Sequence, residues 1–82
     1  MWFVYILECA DQSLYTGITK DLKRRIDEHN GSKSGARYTR SRRPVILMHH
    51  ESYEDRSMAT QREMQIKRLS RQQKLQLIHQ RD

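Results

Sequence analysis

The 82 residues contain a single cysteine, Cys9. That excludes an internal disulfide framework and a cysteine-rich zinc site, and it fits a reducing, cytoplasmic setting with no disulfide partner. No apolar run approaches the roughly 18–20 residues of a membrane span, and the N-terminus reads without a basic leader or cleavage site. No membrane partner is therefore expected. Hydrophobic residues make up only 35% of the chain. A chain this short buries about 60–65% of the surface its unfolded form exposes, so its core is modest. A multidomain enzyme, a large cofactor-binding fold and a deep substrate chamber are excluded, and residues 1–82 read as one small domain.

Acidic residues are missing from one whole stretch. Residues 1–30 hold four basic and five acidic side chains, and residues 51–82 hold seven and five. Residues 31–50 hold Lys33, Arg37, Arg40, Arg42 and Arg43 with no acid at all, and dominate the net charge of +6. Glycine, serine, threonine and Tyr38 are interleaved with these cations. The stretch reads as a flexible, hydroxyl-rich cationic loop suited to phosphate oxygens. A generic charge run is more often a solvated surface. Twenty residues without an acid, with Arg dominating Lys, favour nucleic acid instead. Tyr38 could stack on a base, or be an ordinary exposed loop tyrosine.

Trp2–Leu7 is a continuous aromatic and β-branched run, too short for a helix, and predicts a strand covered on both faces. Asp11-Gln12-Ser13 is turn chemistry, and Leu14–Thr19 predicts the second strand of a hairpin. Gly17 inside that strand implies a bulge or the close approach of a ligand. Asp21–Asn30 predicts a helix with Thr19 or Asp21 as N-cap. Its stripe of Leu22, Arg25, Ile26 and His29 puts an arginine and a histidine on the core side, which is costly unless something meets them. Pro44, the only proline, opens a third strand over Val45–Glu51. Ser52–Leu69 predicts a helix whose apolar arc is Met58, Ala59, Ile66 and Leu69, with Glu63 at its edge. Ser70 caps a last helix over Arg71–Gln80, whose Leu75, Leu77 and Ile78 pack back. The order ββαβαα predicts a mixed α/β fold of the α+β kind, a three-stranded antiparallel-type sheet flanked by helices.

Tyr5, Tyr15, Arg25 and His29 thus fall on partly buried positions, and Glu63 joins them from a later helix. Singly, each has a bland explanation: a core ring, a snorkelling arginine, a packed imidazole, a boundary carboxylate. Together they form a set able to hydrolyse a phosphodiester. His49 and His50 point to opposite faces of a strand and read as surface residues, and Cys9 reads as inert.

These residues carry a resemblance. Val4-Tyr5-Ile6, then Tyr15-Thr16-Gly17, then Lys20-Asp21-Leu22-Lys23-Arg24-Arg25 and His29, with Ala59-Thr60-Gln61-Arg62-Glu63 later, resemble the GIY-YIG nuclease signature. The likeness runs over nearly all 82 residues and is greatest to small stand-alone bacterial members. Phe3 stands where the first motif usually has Gly, Thr16 replaces Ile, and no Asn follows the Glu63 helix. The resemblance implies a metal-dependent endonuclease acting on DNA, in repair or recombination. Tyr5 would activate the attacking water, Tyr15 would orient water or phosphate, and Arg25 would clamp the scissile phosphate. His29 would hydrogen-bond a tyrosine hydroxyl or move a proton, and Gly17 would allow a close approach by the metal shell. Glu63 would hold one Mg²⁺ (or Mn²⁺), since Mg²⁺ keeps most of its waters and needs few protein ligands. Lys67 or the loop arginines would supply the phosphate contact of the missing Asn.

A tyrosine is a weak base at neutral pH, so cations near Tyr5 must favour its phenolate. All five side chains must also reach one cleft. With a Glu63 helix on the far side of the sheet from both phenols, the enzymatic reading would collapse and only the basic surface would survive. Two other readings remain: a non-catalytic nucleic-acid-binding module on the same scaffold, and a protein-interaction adaptor using Ser52–Gln80. Little sequence preference is expected, with distorted or single-stranded DNA as candidate substrates.

Overall fold

In a computed structural model, which describes residues 1–31 and 35–80, the chain runs β1 (Trp2–Glu8), β2 (Leu14–Thr19), α1 (Leu22–Gly31), α2 (Arg37–Arg40), β3 (Ile46–Tyr53), α3 (Arg56–Lys67) and α4 (Arg71–His79). The antiparallel sheet has the order β2-β1-β3. β1 is central, which explains its uninterrupted apolar run: both of its faces are covered. Val4 and Ile6 pack with Ala59 and Ile66 of α3 and with Leu77 and Ile78 of α4. Tyr5 and Leu7 pack on the other face with Cys9, Val45, and Leu22 and Ile26 of α1.

The predicted α+β order holds, with one helical turn added. Arg37–Arg40, expected as flexible loop, forms the short α2. Its seat is tight. A Cβ on Gly35 would lie 2.6 Å from the Glu28 carbonyl oxygen and 3.1 Å from the His29 Cα, so only glycine lets this segment lie against the end of α1.

Helix starts follow local chemistry. The Asp21 carboxylate accepts the Arg24 N–H at 3.1 Å at the head of α1, and Ser70 and Gln73 form a reciprocal capping box on α4. Two expectations fail. β3 continues to Tyr53, and α3 starts only at Arg56, capped by Asp55, whose carboxylate accepts the Met58 N–H at 2.9 Å. Tertiary hydrogen bonds to Glu51 and Tyr53 keep that segment extended. Met58, expected in the core arc, is exposed. The stripe of α3 that meets the sheet is Ala59, Glu63 and Ile66, spaced i, i+4, i+7, and Met58 lies 100° away from it.

Candidate active site

β1 and α1 bring the first side chains together. The Tyr5 hydroxyl lies 2.9 Å from His29 Nε2, and both residues are almost wholly buried. Arg25 stands close enough to the Tyr5 hydroxyl to lower its pKa, and donates a hydrogen bond at 2.9 Å to Glu28. The arginine and histidine of the α1 stripe are therefore met from within the protein. Tyr15 completes the cluster, its ring 5.2 Å from that of His29 and 6.5 Å from that of Tyr5.

Tyr5 and Gly17 are cross-strand partners. A Cβ on Gly17 would sit 2.5 Å from the Tyr5 hydroxyl and 2.7 Å from its Cζ. The close approach expected at Gly17 is thus made by the protein's own Tyr5 ring, where a ligand was expected. With no side chain in the way, the ring lies across β2 with its hydroxyl over Gly17.

Burial pushes the Tyr5 phenol up to about 12, and Arg25 only partly opposes it. Arg25 by itself therefore does not favour the phenolate: at neutral pH the metal-free protein holds a neutral phenol. His29 moves the other way. Burial, aided by the Arg25 charge, lowers it to about 4, so the imidazole is neutral.

Glu63 arrives from a different direction. α3 packs on the Val4/Ile6 face, opposite the face that carries the tyrosine rings. By face alone, this is the arrangement that the sequence reading sets against catalysis. β2 is an edge strand, however, and α3 packs against it as well as against β1. Arg62 reaches Glu51 on β3, and Glu63 lies one position further round the helix, on the stripe that meets the sheet. Its charge contributes to the upward push on the Tyr5 phenol, so carboxylate and phenol are within electrostatic reach past that edge. The Glu63 side chain is only 17% exposed and pairs with Lys67 at 3.3 Å.

The basic segment divides. Arg42 lies 4.0 Å over the Tyr38 ring, is paired with Asp11 at 3.0 Å and donates to the Tyr38 carbonyl at 2.8 Å. Arg43 donates to the backbone carbonyls of His29 and Glu28. Both tie the segment down. Arg37 and Arg40 are exposed. Tyr38 is 40% exposed and stacks on Tyr15 with centroids 5.8 Å apart. Lys33 lies outside the described residues.

Thr39, which the sequence did not single out, is fully buried, and its Oγ1 lies 2.7 Å from His29 Nδ1. Its only sequence signal is a hydroxyl just beyond a glycine that lets the segment close on α1. His49, expected at the surface, is bound to Glu51 at 2.8 Å, while His50 faces the other way, edge-on to Phe3. Cys9 is buried, which pushes its thiol up and leaves it inert.

Residues 1–76 match the model of the GIY-YIG catalytic domain. The chain belongs to the GIY-YIG family. It is 60% identical over 77 residues to a UPF0213 protein of Desulfotalea psychrophila, covering 94% of this chain and 70% of that one. It is 51% identical over 79 residues to a UPF0213 protein of Staphylococcus haemolyticus, covering 96% and 95%. The solution NMR structure of a UPF0213 protein from Bacillus halodurans is similar, with a TM-score of 0.60 and 46% identity over 95% of this chain and 83% of that one. That of a protein from E. faecalis has a TM-score of 0.63 and 45% identity over 93% and 80%. Membership of this family implies nuclease-type chemistry on a nucleic-acid substrate, and such nucleases typically use a divalent metal. Among the described residues no helix is long and apolar enough to cross a membrane.

Among the described residues no group of three His, Cys, Asp or Glu side chains could enclose a metal ion. That donor set does not suit a closed zinc site. A single, largely buried carboxylate within electrostatic reach of the Tyr5 phenol, Glu63, does suit a hydrated Mg²⁺ or Mn²⁺.

Proposed function

We propose that this protein hydrolyses phosphodiester bonds of DNA, with Tyr5, Tyr15, Arg25 and His29 as its catalytic residues and Glu63 as the protein ligand of one divalent cation, Mg²⁺ or Mn²⁺. The observation that carries the reading is the Tyr5 hydroxyl 2.9 Å from His29 Nε2 and within the field of the Arg25 guanidinium, over Gly17 of β2. A phenol near 12 cannot serve as a base by ionising in advance. It can take a proton from water only as its own proton leaves, and the neutral His29 imidazole, 2.9 Å away, is placed to accept it. The water O–H bond breaks as a Tyr5 O–H bond forms, and the original Tyr5 proton passes to His29 Nε2. The resulting hydroxide attacks phosphorus as the P–O bond to the leaving oxygen breaks, and that oxygen takes up a proton from solvent.

Arg25 contributes positive charge where the phosphoryl oxygens gain negative charge, and the desolvated setting strengthens that contribution. Tyr15, in contact with His29 and Tyr38, closes the wall of the site. A cation held by Glu63 would neutralise phosphoryl and leaving-oxygen charge. Arg37, Arg40 and Tyr38, with Lys33 and Lys67, would line the path of the strand, while Arg42 and Arg43 hold the segment in place. Sequence preference should be low, and a cytoplasmic setting fits the single inert thiol.

The test is cleavage of flap, junction, single-stranded and duplex DNA with Mg²⁺ or Mn²⁺ by wild type, Arg25→Ala and Glu63→Ala. Loss of about 10²–10³-fold in rate is expected for each variant. Equal cutting by all three would show that the activity belongs to a contaminant. Salt-sensitive binding without cleavage would leave a nucleic-acid-binding module.

A further inference from the structure

His29 makes hydrogen bonds through both ring nitrogens, and a neutral ring carries only one proton. Which nitrogen carries it follows from counting the protons around the ring. The Thr39 hydroxyl lies 3.0 Å from the Ala36 carbonyl oxygen, an oxygen that can only accept, and 2.7 Å from His29 Nδ1. With its one proton on Ala36, Thr39 Oγ1 must accept from His29, which places the ring proton on Nδ1. The Tyr5 end agrees. The Tyr5 proton needs an acceptor, which a guanidinium such as that of Arg25 cannot provide, and His29 Nε2 stands 2.9 Å away. The opposite tautomer would leave the proton of a phenol that is 1% exposed without an acceptor in this cluster.

We propose that Thr39 is a positioning residue, whose hydroxyl holds the His29 ring with its proton on Nδ1 and thereby keeps Nε2 bare to receive the proton of Tyr5. The chain runs from Tyr5 O–H to His29 Nε2, and from His29 Nδ1–H through the Thr39 hydroxyl to the Ala36 carbonyl. A neutral hydroxyl backed by a carbonyl fixes the ring without adding a charge, and Gly35 lets it come close enough to do so. The inference rests on the roles given above to Tyr5 and His29, and it extends the site to α2, an element with no part in the family signature quoted above.

The experiment is ¹⁵N-edited NMR of the imidazole nitrogens in the full chain near pH 7, with His29→Gln to assign the resonances, alongside DNA cleavage rates. The wild-type His29 should carry its proton on Nδ1. Thr39→Val should move the ring to the Nε2–H form or a mixture and slow cleavage at least about tenfold with little change in KM. Thr39→Ser, which keeps the hydroxyl, should restore both. A wild-type ring protonated on Nε2 overturns the proposal without any variant. So does a Thr39→Val protein that keeps the Nδ1–H form, or that changes tautomer yet cuts at the wild-type rate. If the tautomer behaves as expected but wild type cuts no DNA, the Thr39 assignment stands and the nuclease reading is the one that falls.

Discussion

The two faces of the sheet each hold a polar cluster, partly buried on one and fully buried at its centre on the other, and the two are built on opposite plans. On the α3 face the Glu51 carboxylate accepts from Arg62 at 2.8 and 3.1 Å, from the Tyr53 hydroxyl at 2.6 Å and pairs with His49 at 2.8 Å. Burial works against ionising it, but these hydrogen bonds outweigh burial and hold the carboxyl at about 2. On the α1 face Tyr5, His29 and Thr39 pass hydrogen bonds along a line of neutral groups, with one cation, Arg25, at its head. The first cluster is an anion saturated by its donors, which fastens α3 to β3. The second holds a proton on a reluctant donor next to a bare acceptor. A closed charge pair stabilises a fold, whereas a half-committed proton is available for chemistry.

Removing the centre of each cluster should separate these roles. Tyr5→Phe deletes the hydroxyl through which the proton must pass, and cleavage should fall by about 10²–10⁴-fold while the protein remains folded. Glu51→Gln should act in reverse. It strips charge from the partner of Arg62 and should cost about 2–3 kcal/mol of stability, with a much smaller fall in the rate per folded molecule. Urea denaturation and cleavage assays on the same samples check both. Equal losses of rate in the two variants would mean that the faces do not divide in this way.

Acid should also address the two clusters in different windows. The folded-state pKa of His29 is depressed from 6.5 to about 4, so its contribution is present above 6.5. It is lost as the unfolded chain takes up a proton that the native site resists, amounting to roughly 3 kcal/mol by pH 4. Glu51, depressed from 4.5 to about 2, contributes fully above 4.5 and is lost only as the pH falls toward 2. Stability measured from pH 7 to 4 should therefore decline in wild type and much less in His29→Gln. A decline of the same size in both proteins would remove His29 as its cause.

How much of this was legible in the sequence depends on how local the cause is. The strands showed as short β-branched and aromatic runs, and the helix starts at Asp21 and Ser70 showed as capping side chains, because those hydrogen bonds close within a few residues. Tyr5, Tyr15, Arg25, His29 and Glu63 stood out because polar groups fell where the apolar pattern called for burial. Long-range packing was hidden. Nothing near Ser52 says that Glu51 and Tyr53 will be drawn into a cluster with Arg62, so β3 was read short and α3 long. Arg42 and Arg43 look like their exposed neighbours until Asp11 and the carbonyls of α1 are brought beside them. Thr39 is one hydroxyl among several in its stretch, and only the fold places it against His29.

The smallest effect concerns Thr16, which stands on β2 opposite Ile6 and so shares the α3 face. It is 4% exposed, and its Oγ1 has no hydrogen-bond partner among the described residues. Where the polar atoms of both clusters are met, this one hydroxyl has lost water and gained nothing in return. Thr16→Val keeps the branched shape that suits a strand and removes the unmet group, so stability should rise by about 1 kcal/mol, with cleavage unchanged. A loss of stability in the thermal or urea midpoint would show that the hydroxyl has a partner after all, a bound water between β2 and α3, and that this face too keeps a hydrated polar group next to Glu63.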